Sequence, residues 1–173
     1  MNKILSILIL LFTSTLCQGA EKYFVVPVNS PFKYSHDVEE KLEDHFKGTA
    51  TLTGKLVFER FPYDDIKEVV VSFVPDTKTK EVLPYKSALG KVKSVGISGE
   101  KEKYAALLSE EQKQKLFAGS YPSIELQVSI IVSDYYAEVS CDNTYYWLSI
   151  VRILKSNERP KPSKVKPSVG SCQ

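Results

Sequence analysis

The sequence predicts a mainly β domain of the α+β class, with five or six strands, one helix ahead of them and one between the third and fourth. Three observations lead there. Apolar residues recur at every second position over Thr49–Phe61 and again over Ser123–Val132, and a period of two marks a half-buried strand. Helical spacing shows in only two places, ahead of the first of these strands and between residues 100 and 119. Turn-forming pairs, Pro75–Asp76 and Asp142–Asn143, interrupt the apolar runs where strands should reverse.

In chain order, Tyr23–Phe32 is a short apolar run broken by Pro27 and Pro31, suited at most to an edge strand. Val38, Leu42 and Phe46 follow at four-residue spacing, with Asp37 and Glu40 placed as a capping box and Gly48 as a stop, which predicts a leader helix. Ala50, Leu52, Gly54, Leu56 and Phe58 then alternate with Thr51, Thr53, Lys55, Val57 and Glu59 as the first long strand. Glu68–Val74 gives a second strand and Lys91–Ile97 a third. The block from Glu100 to Gly119 reads as helix, with Tyr104, Leu107, Leu108, Leu116 and Phe117 on its apolar side. Ser109 and Gln112 can recap it, and Gly119 ends it. Ile124, Leu126, Val128 and Ile130 point inward from a fourth strand, a run from Tyr136 to Cys141 leads to a turn, and Thr144–Leu154 is the longest apolar strand. Past Lys155 the periodicity is lost and prolines accumulate.

Three strands, a helix and two further strands, behind a helical leader, match the order of a five-stranded Greek-key barrel of the OB type. Over Thr49–Leu154 the chain resembles small exported bacterial OB-type domains, with Leu52–Leu56 ("LTGKL") as the first barrel strand and Gly54 at its bend. An α+β sheet with one covering helix would produce nearly the same string.

The start of the chain has one basic residue, Lys3, an apolar run from Ile4 to Phe12, and then small and polar residues. That is the layout of a secretory signal peptide over residues 1–19, with cleavage near Gly19. The run is too short for a stable helix across a hydrocarbon core of about 30 Å, so no membrane span is expected. A bulky Leu16 before Cys17 argues against lipid attachment there. Export to the periplasm or medium makes the remaining cysteines, Cys141 and Cys172, a disulfide pair. Closing a loop of about thirty residues should contribute roughly 3–4 kcal/mol. It would tie the Pro- and Lys-rich tail, residues 156–173, back onto a globular domain spanning 20–155. Arg152–Gln173 carries +5; removing that and Lys3 from the overall +2 leaves −4 for residues 20–151. A basic tail on an acidic body can touch anionic polymers, or simply lie over its own domain. Export and the acidic body argue against nucleic acid as a partner.

No catalytic residue stands out. No G-x-S-x-G elbow, H-E-x-x-H pair, P-loop or C-x-x-C motif occurs, and each of those chemistries depends on its spacing. His36 and His45 fall on different faces of the expected leader helix, so no metal and no cofactor are expected. The aromatic residues around Cys141 carry more information: Tyr135, Tyr136, Tyr145, Tyr146 and Trp147. Neighbouring residues in a strand face opposite sides, so one ring of each tyrosine pair points away from the core. Tyrosine and tryptophan suit binding surfaces because they bury large areas with little rotamer loss. These five form the candidate binding set, unless Trp147 and one tyrosine of each pair serve the core.

Three function classes follow. The first is an exported, non-enzymatic domain that binds another protein, as an inhibitor or an immunity-type protein. The second is an oligosaccharide or cell-wall glycan binding module, since aromatic faces stack on sugars and OB barrels hold them. The third is a hydrolase with a dispersed pair of carboxylates, which leaves no local signature.

Overall fold

The computed structural model describes residues 24–35, 43–61, 68–99, 101–140, 143–154, 156 and 158–163. Two short strands lead, β1 (Phe24–Val25) and β2 (Lys33–Ser35). The long β3 (Glu43–Arg60) and β4 (Val69–Pro75) form a hairpin, followed by a single-turn helix, α1 (Thr77–Lys80). Strands β5 (Tyr85–Lys86) and β6 (Val95–Ser98) precede two short helices, α2 (Lys101–Ala105) and α3 (Glu110–Phe117). The long hairpin β7 (Ser123–Ser140) and β8 (Asn143–Leu154) comes next, and β9 (Lys161–Ser163) closes the order.

The long strands close on themselves. β3 pairs antiparallel with β4, β4 with β6, β6 parallel with β8, β8 antiparallel with β7, and β7 antiparallel with β3. The result is a closed five-stranded barrel whose strand order, with its helices between β6 and β7, is OB-like. Closure removes the exposed edges that an open sheet would present. The expected mainly β architecture is therefore present, with the helical block between the third and fourth barrel strands.

The interior follows the alternation. From β3 it takes Leu52, Leu56 and Phe58, and from β7 Ile124, Leu126, Val128, Ile130 and Val132, all buried. Phe73 of β4 and Leu148 of β8 lie in the same core, and Tyr104, Leu108 and Leu116 of the helical block join it. Gly54 is needed for close approach: a Cβ there would stand 2.8 Å from the Phe73 ring. At the start of α3, Ser109 Oγ accepts from the Gln112 amide (3.2 Å) and Gln112 Oε1 accepts from the Ser109 amide (3.0 Å), the expected capping box. Gly119 takes φ +70°, as a helix-ending glycine should. At α1, Asp76 caps the Thr79 amide (2.8 Å) and accepts from Thr53 Oγ1 (2.5 Å), joining helix to barrel.

One expected element is corrected. The leader helix was to run through Phe46 to Gly48, but Glu43–Lys47 belong to β3, paired with β7 on one side and, from His45, with β2 on the other. A four-residue spacing is a multiple of two as well as close to one helical turn, so it fits either structure. Strand partners on both sides decide for the sheet. Gly48 does not stop a helix; it lets β3 pass tightly against the Pro31–Phe32 backbone. His45 is accordingly a strand residue. His36, the rest of the expected helix, residues 1–19, Cys141, Cys172 and the tail beyond Ser163 lie outside the described residues.

Part of the tail before that point is ordered by pairing. β9 adds to β7, with Ser163 beside Ser123. Ser163 Oγ donates to Glu125 Oε1 (2.5 Å), Lys55 pairs with Glu125 (2.7 Å), and Gln112 Nε2 of α3 donates to the Pro160 carbonyl (3.1 Å).

Candidate aromatic surface of the barrel

The five aromatic residues divide between the two sides of the barrel wall, and a bulge decides how. Asp134 adopts φ +54°, a left-handed conformation that Asp tolerates better than most residues. The β7–β8 register shifts there, between Ser133 and Tyr135. The extra residue resets the alternation. Val132 and Tyr135 both face inward, and Tyr136 faces out.

Tyr135 is fully buried and its hydroxyl donates to the Pro84 carbonyl (2.8 Å). Its ring lies 5.5 Å from Phe32, 5.7 Å from Phe46 and 5.9 Å from Tyr146, centroid to centroid. Tyr146 is also inside, and its hydroxyl accepts from the Lys86 amide (2.9 Å). Burial pushes the Tyr135 hydroxyl well above the ordinary tyrosine range, with Tyr146 beside it adding to the effect. Burial also raises Tyr146, against the opposing bond from Lys86. These two rings are core.

Tyr136, Tyr145 and Trp147 lie on the outer side, each partly exposed. The strand register places them in two rows. In the first, His45 of β3, Tyr136 of β7, Trp147 of β8 and Gly96 of β6 are successive partners. The rings stack: His45 on Tyr136 at 5.1 Å and 11°, Tyr136 near Trp147 at 6.3 Å and 16°. At the end of the row the indole covers Gly96, where a Cβ would fall 2.5 Å from Trp147 Cε3. Only glycine admits the ring there. The second row is Glu43, Glu138 and Tyr145. Glu43 Oε2 sits 2.9 Å from His45 Nε2, and among the described residues Glu138 has no hydrogen-bond or ion-pair partner. Partial burial, and then the carboxylates of Glu43 and Glu138, raise the Tyr136 hydroxyl above its ordinary range.

Further round the same side, Ser72 of β4 partners Gly96 on one side and Val57 of β3 on the other, and Glu59 lies two residues further along β3, opposite Val70. Ser72 Oγ, Glu59 Oε2, Trp147 Nε1 and Tyr145 Oη are shielded from solvent and have no hydrogen-bond partner among the described residues. Burial pushes the Glu59 carboxyl up to about 7.

No family model, no curated protein and no solved structure matches this chain.

Among the described residues no group of three or more His, Cys, Asp or Glu side chains converges to hold a metal ion, and no helix is long and apolar enough to cross a membrane. Of the five candidate aromatics, the structure brings Tyr136, Tyr145 and Trp147 together on the surface and assigns Tyr135 and Tyr146 to the core. Sequence reasoning missed His45, Glu43, Glu138 and Gly96. His45 and Glu43 were hidden by the helical reading of their segment. Glu138 was legible as an outward position two residues beyond Tyr136, had the register been known.

Proposed function

We propose that this chain is an exported, non-enzymatic domain that binds another protein, in the manner of an inhibitor or immunity-type protein, through the outer aromatic rows of the barrel. The observation that carries the reading is the stacked series His45–Tyr136–Trp147, flanked by Tyr145, on one side of a closed barrel. Large aromatic side chains dominate the energetics of protein interfaces. Rings held against one another and against Gly96 have little freedom left to lose on association, which reduces the ordering cost. Export through a signal peptide over residues 1–19 and a Cys141–Cys172 disulfide belong to the same proposal, since the composition of both chain ends supports them.

The test compares the native chain with a Tyr136→Ala/Tyr145→Ala double variant as bait in a crosslinked pull-down from the native cell envelope, read by mass spectrometry. One protein should be recovered in stoichiometric yield by the native chain and lost with the variant, while the two baits melt within a few degrees of each other. Equal recovery by both baits contradicts the proposal. So does a saturable change in Trp147 fluorescence with soluble peptidoglycan fragments, which would favour a cell-wall glycan ligand through the same rings.

A further inference from the structure

The outer surface carries a charge pattern that its own fold does not need. Glu43 and Glu138 are direct partners across the antiparallel β3–β7 pair, and both point outward. Like charges opposite one another in a sheet destabilise it. His45 sits against Glu43, but Glu138 has no partner among the described residues. The two carboxylates lie beside the stacked rings, one strand step of two residues away from Tyr136 and His45, a separation of about 6–7 Å. Their influence already reaches the Tyr136 hydroxyl. Residues 20–151 carry −4 in total, so the body that bears this pair is itself acidic.

We infer that the partner protein meets this surface with a cationic side chain, an arginine in preference to lysine, seated between Glu138 and Glu43 and against the ring of Tyr145, the cross-strand neighbour of Glu138. This inference rests on the protein-binding reading and names the chemistry of its partner. A guanidinium satisfies both features at once. Its planar fork takes a carboxylate bidentately, and its flat face and apolar stem pack on aromatic rings. A cation near a tyrosine or tryptophan ring gains further from the ring quadrupole. A lysine ammonium fits the charge but not the planar stacking. A neutral glycan fits the rings but leaves the paired carboxylates unanswered.

The test uses the full mature chain with nonaarginine, nonalysine and nonaglutamate as probes, followed by Trp147 fluorescence in low and physiological salt. Nonaarginine should bind saturably, more tightly than nonalysine, and nonaglutamate not at all. Glu43→Gln/Glu138→Gln should weaken nonaarginine at least tenfold without lowering the melting temperature, because it removes a repulsion. Glu110→Gln/Glu111→Gln on α3 makes the same change in net charge and should leave binding within twofold. Equal weakening by both pairs, or no saturable response to nonaarginine, overturns the inference. The two readings separate in the pull-down. A partner kept by Glu43→Gln/Glu138→Gln but lost by Tyr136→Ala/Tyr145→Ala leaves protein binding standing and rules out the cation.

Discussion

Adjacent tyrosines in this chain have opposite fates, and the difference is measurable. Tyr135 has 0% exposure and its hydroxyl serves the Pro84 carbonyl, whereas Tyr136 is partly exposed and its polar surroundings are two glutamates. Tyr135→Ala should cost about 3–5 kcal/mol of unfolding free energy, as large core truncations do. Tyr135→Phe should cost about 1–3 kcal/mol, because a buried carbonyl loses its donor. Tyr136→Ala should cost less than about 1 kcal/mol. Urea unfolding of the three variants checks the order. At Glu59 the folded-state pKa of about 7 stands above the ordinary 4.5. For a raised acid, the folded form holds its proton more tightly than the unfolded form. The stabilising contribution is complete below about pH 4.5 and is lost as pH rises through about 7. Glu59 is only partly buried, so after allowance for solvent screening the loss is on the order of 1 kcal/mol. Glu59→Gln should flatten that part of the stability–pH curve, and an unchanged slope would place the titration elsewhere.

At the scale of elements, the bulge at Asp134 does most to shape the site. Inward alternation through Ile124, Leu126, Val128, Ile130 and Val132, continued without interruption, would turn Tyr136 inward and Tyr135 outward. One residue at φ +54° reverses that. Asp134→Gly should leave stability unchanged or raise it by up to about 1 kcal/mol, since glycine meets no Cβ penalty there. Asp134→Val should lower it by more than about 1 kcal/mol, as a β-branched residue fits that region poorly. Melting curves of the two variants give the comparison. This is also where the sequence was least legible. Period-two patterns placed β3 from Thr49 onward and the first part of β7, apolar runs placed β4 and β8, and Ser109–Gln112 marked the start of α3, because those signals are local. The bulge leaves no trace beyond an aspartate. The strand character of Glu43–Lys47 comes from β2 and β7, both distant in sequence, and so could not be read from Val38, Leu42 and Phe46.

For the whole molecule, closure of the barrel is what makes one surface from four strands. His45, Tyr136, Trp147 and Gly96 come from β3, β7, β8 and β6, and they become neighbours only when β3 meets β7 and β6 meets β8. The same closure sets the terms for the tail. β9 holds Ser163 beside Ser123 at the start of β7, while Cys141 follows Ser140 at its other end. The nine residues from Ser163 to Cys172 reach at most about 32 Å, whereas a straight strand of β7's length would run about 56 Å. A Cys141–Cys172 bond within one chain therefore requires β7 to curve well short of its contour length. Peptide mapping of non-reduced protein should find that crosslink in the monomer, and finding it only in a covalent dimer would contradict the expectation. Reduction should leave amide exchange at Lys161 and Ser163 slow, because β9 is held by strand pairing and by Glu125 independently of any sulfur.

Oxidative footprinting of the aromatic residues, free and in the complex recovered from the envelope and resolved by mass spectrometry, asks whether the outer rings are the binding surface. Tyr136, Tyr145 and Trp147 should be labelled in the free chain and protected severalfold in the complex, with Tyr135 and Tyr146 protected throughout. Labelling of the three outer rings that does not change on complex formation, or labelling of Tyr135 as strong as that of Tyr136, would contradict it.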